Sequence, residues 1–256
     1  MGDFTTALSS ALSGRGMKME DFCNTSDVVE KRMLKEYGAV FLASNKVKIP
    51  SRCILSDEKS VDAFQSGVKT KTETVGGTTI KLQEAAMDDL LLAVADIKKA
   101  KLTLTPRGGE TAASRSFANT KEFWDKKVKA GLAHWKGQTK GGVKFDEATK
   151  DLLTLPLKDQ IKKVLELEEK GFFFSLNFDK TILQSVAAPG ASQHLWLLAL
   201  DIKEFGDKRV REIMAKHGWF RTIKSDAPHF TYLGIEESKL GSLGLKKEDG
   251  FWVPDL

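Results

Sequence analysis

The chain has 256 residues, 41% of them hydrophobic and 29% charged. That is enough to fill one core, or a main domain with a smaller appendage. Its longest apolar runs, such as LWLLAL, are too short to cross a bilayer as a helix. The net charge of +5 admits nucleic acid, an anionic membrane or an acidic wall polymer as partner. The lysines, however, are scattered along helical segments with no dense basic block and no interleaved aromatics, a pattern of solvated helix faces that speaks against nucleic acid.

Residues Met1 to Lys18 are small, polar and weakly periodic, as in a short helix or a disordered lead, and no signal sequence is visible there. DVVEKRMLKEY (Asp27 to Tyr37) has an amphipathic helical face built on Val28, Val29, Met33 and Leu34. AVFLAS and RCILS read as short strands, and SVDAFQSG as a brief helix ending at Gly67. Cys23 and Cys53 lie outside any CxxC pair, which excludes a zinc ribbon or a thioredoxin-like site. They form one disulfide in an exported protein and stay two buried thiols otherwise.

After the Gly76–Gly77 turn, TTIKLQ (Thr78 to Gln83) alternates as a strand. EAAMDDLLLAVADIKKAKL is a helix by its period, LTLTPRGG a strand ended by a turn, and NTKEFWDKKVKAGLAHW a second long helix. LKDQIKKVLELEEKG is a third, stopped by Gly171. The remainder turns to strands, LWLLALDI, FRTIKS and HFTYLG, with the helix GDKRVREIMAKHG among them. Long helices followed by a strand-rich block predict an α+β fold, a mostly antiparallel sheet flanked by helices. The simplest partition is an N-terminal α/β extension over residues 1–74 and a main domain over 75–256.

Chemistry points to two of the four histidines. His134 lies in a long helix without an acidic neighbour at helical spacing, and His217 sits at a helix C-terminus, a common stabilising position for a cation. His194 precedes Asp201 by seven positions, and His229 follows Asp226 by three, in SDAPHFTYLG. Two imidazoles and one carboxylate make the three-ligand set of a catalytic zinc, leaving a second carboxylate free as a base. In an unbroken strand residues 194 and 201 would face opposite sides. Both can reach one metal only if His194 lies in the loop before the strand, for which APGAS has the composition, or if a bulge intervenes. Each residue also has an ordinary reading: Asp201 as a helix cap, Ser192 as a loop serine, Arg115 as a partner of Glu110.

SQHLWLLALD (Ser192 to Asp201) resembles the S-x-H-x-x-G-x-A-x-D signature of the VanY-like zinc D-alanyl-D-alanine carboxypeptidases and dipeptidases, whose fold is shared with the hedgehog signalling domain. DAPH, Asp226 to His229, is similar to the family's second motif, E-x-W-H or E-x-x-H. ASRSFANT places Arg115 like the arginine of a YRS-like turn. The resemblance covers roughly Leu102 to Gly234 and leaves the N-terminal part unexplained. It implies His194, Asp201 and His229 as zinc ligands and Asp226 as general base. It further implies Arg115 as the residue that binds and polarises the scissile carbonyl, and Ser192 as a substrate-side serine.

The chain departs from the pattern at three places. Leu197 stands for the signature glycine, Asp226 for the longer glutamate, and Pro228 for the frequent tryptophan. The implied activity is hydrolysis of peptidoglycan stem peptides outside the cytoplasm, in periplasm or wall, at the terminal D-Ala–D-Ala bond. An L-Ala–D-Glu endopeptidase and a non-catalytic peptidoglycan-binding module are the alternatives. An exported wall enzyme would also carry Cys23 and Cys53 as a disulfide.

Overall fold

The computed structural model describes residues 3–224 and 226–256. Asp3 opens α1 (Phe4–Ser13), its carboxylate accepting from the amides of Thr5 and Thr6, so the lead is helical from Phe4 on. α2 (Met19–Phe22) and α3 (Val28–Tyr37) follow, with Asp27 capping α3 in the same way. Cys23 and Cys53 are joined by a disulfide that ties the end of α2 to the loop before α4 (Glu58–Ser66). AVFLAS and RCILS are not strands. Gly38–Leu42 winds directly out of α3 as a 3-10 turn, and 51–54 is a series of bends. Both are apolar because they are buried: Phe41 packs on Phe22 and Trp196, with ring centroids 4.8 and 4.9 Å away.

β1 (Thr70–Val75) and β2 (Thr78–Gln83) form a hairpin whose two-residue turn needs positive φ at both positions, met by Gly76 and Gly77 at φ 54° and 81°. α5 (Glu84–Lys99) follows as the periodicity predicts. LTLTPRGG makes one isolated bridge, Pro106 to Ile202, instead of a strand, since proline cannot donate to a ladder. Ser116 and Asn119 then form a capping box at the head of α6 (Phe117–Trp135). A small hairpin of β3 (Thr139–Lys140) and β4 (Val143–Lys144), the short α7 (Phe145–Thr149) and α8 (Leu157–Glu169) complete the helical half. Buried Glu168 at the end of α8 accepts from the amides of Phe174 and Ile182 and from the Thr181 hydroxyl, pinning the loop that follows.

The site stands on a three-stranded antiparallel sheet of β5 (Ala199–Asp201), β6 (Trp219–Phe220) and β7 (His229–Tyr232), with β7 in the middle and α9 (Lys208–Lys216) between β5 and β6 in sequence. LWLLALDI therefore contributes only its last part to the sheet, and FRTIKS, whose Ser225 lies outside the described residues, only Phe220 among those described. The chain closes with α10 (Glu237–Leu240) and the hairpin of β8 (Leu245–Glu248) and β9 (Phe251–Pro254). Every strand pair among the described residues is antiparallel, so the molecule is α+β as expected.

Two apolar clusters fill it. One joins Phe4, Leu8 and Phe41 to Leu82, Leu90, Trp196 and Tyr232, so residues on both sides of position 74 share it. The other joins Val29, Met33 and Tyr37 of α3 to Trp124 of α6, Ile161 of α8 and Phe172.

Candidate metal centre

The seam between the two clusters runs through the APGASQHLW segment. Ala188 and Ala191 belong to one side, Leu195 and Trp196 to the other. Gly190 sits against strand-free backbone: its carbonyl accepts from the amide of Leu55, and a β-carbon there would lie 1.9 Å from the Leu55 oxygen. That close approach seats the loop that delivers His194. Gln193–Trp196 is then a 3-10 turn, ended by Leu197 in the left-handed region at φ 56°. The parity conflict between residues 194 and 201 is thereby resolved, because His194 lies before the strand. Leu197 occupies the position of the resembled signature's glycine, and the backbone shows what a glycine there would ease. Left-handed geometry costs a non-glycine residue about 1–2 kcal/mol, while burying a leucine fully contributes about 1.5–3 kcal/mol. Leu197 is fully buried, so the strain is offset.

His194, Asp201 and His229 meet at the floor of a cleft of about 690 Å³. His194 Nε2 lies 3.2 Å from His229 Nδ1 and 3.5 Å from Asp201 Oδ1, and His229 Nδ1 lies 3.2 Å from the same oxygen. Metal bonds of about 2.0–2.1 Å at tetrahedral angles imply ligand atoms about 3.3–3.4 Å apart. The three separations bracket that value.

Gln193, which sequence reasoning passed over as a variable position in the signature, fixes the chemistry of this triangle. Its Nε2 donates to the Tyr37 carbonyl at 3.0 Å, which turns Oε1 toward His229. His229 Nε2–H donates to that oxygen at 2.9 Å, and the Thr231 hydroxyl donates to it as well. The proton of His229 therefore sits on Nε2, and Nδ1 presents a lone pair to the cluster. A second partner on the remote nitrogen is how proteins orient metal-binding imidazoles. Three electron-rich atoms so close together, two of them on buried histidines, form a donor set that could hold a cation. The donor set fits zinc.

Burial, with the nearby Arg115 charge, lowers the His194 pKa to about 4, so its ring is neutral and its lone pair available at physiological pH. Burial opposes ionisation of Asp201, but the two imidazoles outweigh it and hold that carboxyl well below its usual range. His194 Nδ1 is buried without a partner among the described residues.

The other expected residues also line the cleft. Arg115 donates from Nη2 to Asp201 Oδ2 at 2.8 Å and from Nε to the Thr111 carbonyl at 3.0 Å. Its plane lies over Phe123, 5.3 Å from the ring centroid. Arg115 thus braces the Asp201 carboxylate and pairs with it, not with Glu110. Asp226 is pushed above the ordinary carboxyl value by burial, with Asp201 adding to the effect. Ser192 lies on the cleft wall, two residues before His194. His134 and His217 stay out of the site: one stacks on Phe178 at 3.9 Å, the other bonds Asp96 at 3.0 Å.

No family model and no curated protein matches this sequence. Among solved structures, the chain is similar to that of the LdcB LD-carboxypeptidase, described with the molecular basis of peptidoglycan recognition. The two share 16% identity over 78% of this chain and 73% of that one, at a TM-score of 0.37. So loose a likeness carries no argument about this site, and the chemistry above rests on the chain's own residues.

Proposed function

We propose that the protein is a zinc-dependent peptidase that cuts peptidoglycan stem peptides, with the terminal D-Ala–D-Ala bond as its substrate, outside the cytoplasm. The observation that supports this most directly is the convergence of His194 Nε2, Asp201 Oδ1 and His229 Nδ1 within 4.8 Å of one another, at the floor of a cleft that also holds Asp226. The sequence resemblance supplies the substrate class. In this reading residues 75–256 are the peptidase domain and residues 1–74 an extension packed against it.

Zinc, when bound, supplies a Lewis acid that activates water and polarises the amide carbonyl. Asp226, raised by burial, takes the proton of the attacking water and passes it to the leaving amine, a task suited to a carboxyl whose pKa is moved toward neutrality. Arg115 Nε and Nη2 are occupied by Thr111 and Asp201, leaving the Nη1 hydrogens for the carbonyl oxygen as negative charge develops. Ser192 contacts the substrate beside it.

Zinc content and D-Ala release from a synthetic stem pentapeptide test the proposal together. Wild type is expected to hold one zinc per chain and His194→Ala none. Asp226→Asn should keep the zinc while turnover falls about 10²–10⁴-fold. If zinc-loaded wild type releases no more product than Asp226→Asn yet binds peptidoglycan, the protein is a binding module. Cleavage between L-Ala and D-Glu instead would move the scissile bond and keep the chemistry.

A further inference from the structure

Positive groups outnumber negative ones along the cleft. Four cations line it, Arg107, Arg115, Lys126 and Lys127, against two carboxylates, Asp201 and Asp226. Arg115 is consumed by Asp201 at 2.8 Å, and Lys126 pairs with Glu122 at 2.6 Å. Arg107 is anchored through its amide, which donates to the Asp201 carbonyl at 2.8 Å, and its charge acts on Asp226. The Arg107 guanidinium, like Lys127, has no ion pair among the described residues but is exposed, and it is burial that sets Lys127 apart. Its ammonium makes no ion pair and no hydrogen bond among the described residues, and it is half-buried.

Its direction follows from the helix. Phe123, Lys127 and Ala130 stand at i, i+4 and i+7 of α6, one face, and all three line the cleft. Leu183, Ser185, Val186 and Ala187, which line the same cleft, are uncharged. Burial without a counter-charge lowers the affinity of Lys127 for its proton, and a lysine so placed gains most from an incoming anion.

On the peptidase reading, we propose that Lys127 is the specificity residue of this cleft, receiving the free C-terminal carboxylate of the peptide. The peptide would then lie across the metal triad with its anionic end toward α6 and its small side chains against Val186 and Ala187. An exopeptidase follows, because a chain continuing past the scissile bond offers Lys127 no carboxylate. Arg107 contributes to the same positive field.

Titration calorimetry tests this on the zinc-treated Asp226→Asn protein, in which turnover is suppressed, alone and combined with Lys127→Gln or Lys127→Arg. The probes are a stem pentapeptide ending in D-Ala–D-Ala and the same peptide amidated at its C-terminus, which separates the terminal carboxylate from the internal ones. The acid should bind about 10- to 100-fold more tightly than the amide, the range of one charge-assisted hydrogen bond. Lys127→Gln should bring that ratio close to one, and Lys127→Arg should restore it. A ratio near one in the parent, a ratio untouched by Lys127→Gln, or no binding of either peptide overturns the assignment. Selective binding through Lys127 by a protein whose native sequence hydrolyses nothing would sink the peptidase reading and leave this one standing.

Discussion

Asp201 stands directly across the β5–β7 ladder from His229, and their side chains meet through Oδ1 and Nδ1 at 3.2 Å. Opposed residues of an antiparallel pair point to the same face, and a slip of one residue would send them to opposite faces. The register of this short pairing is therefore a condition for bringing His194, Asp201 and His229 together. It is held from both sides, since Phe230 and Thr231 of the same strand pair with Leu200 and Ala199 while Thr231 and Tyr232 pair with β6.

Gln193 should prove as necessary to zinc as a ligand's own orientation. Gln193→Ala removes the acceptor that keeps the His229 proton on Nε2, and supporting groups of this kind are worth about 10–100-fold in metal affinity. It also leaves the Thr231 hydroxyl and the Tyr37 carbonyl to find other partners, at about 1–3 kcal/mol for a buried group left unpaired. Competition with a zinc chelator and a melting curve on the metal-free variant separate the two effects. Unchanged zinc affinity in a folded variant would refute the tautomer argument.

Stability of the metal-free protein should fall with acid because of His194. Its folded pKa of about 4 lies below the ordinary 6.5, so between those values the unfolded chain binds the proton and the folded one does not. The contribution is fully present above about pH 6.5 and is lost as pH falls toward 4. At about 1.4 kcal/mol per unit this comes to about 3 kcal/mol. Asp226 and Glu168, both raised by burial, work in the opposite direction. The difference between wild type and His194→Gln therefore reports the effect together with its coupling to Asp201, measured by denaturant unfolding at pH 7, 6, 5 and 4. A difference independent of pH would count against a buried neutral imidazole.

The disulfide closes a loop of 30 residues, for which chain entropy predicts about 3–4 kcal/mol. Cys23→Ser with Cys53→Ser should lower the denaturant midpoint accordingly and leave zinc stoichiometry intact, since neither sulfur belongs to the His194–Asp201–His229 cluster. Two free thiols titrating in denatured, unreduced wild type would refute the bond.

The residue types of the site could be read from the chain alone: two histidines and two aspartates in a fixed order, an arginine well upstream, and helices whose period announced them. α3, α5, α6, α8 and α9 form where apolar residues recur with helical spacing, because helical hydrogen bonds are local and sequence neighbours decide them. The disulfide was legible only as a possibility that depended on compartment.

The tertiary structure decided the rest. AVFLAS, RCILS, LTLTPRGG and most of LWLLALDI have strand composition without a complete strand, because a strand exists only where another pairs with it, and partners are chosen at long range. The same holds for Gln193. Nothing in its neighbours distinguishes it, and its role arises when Tyr37, 156 positions earlier, fixes one end of its amide and His229 the other. The identity of a metal ligand is a property of the side chain and survives in the sequence. The proton position that makes the ligand usable belongs to a hydrogen-bond network that only the folded chain assembles.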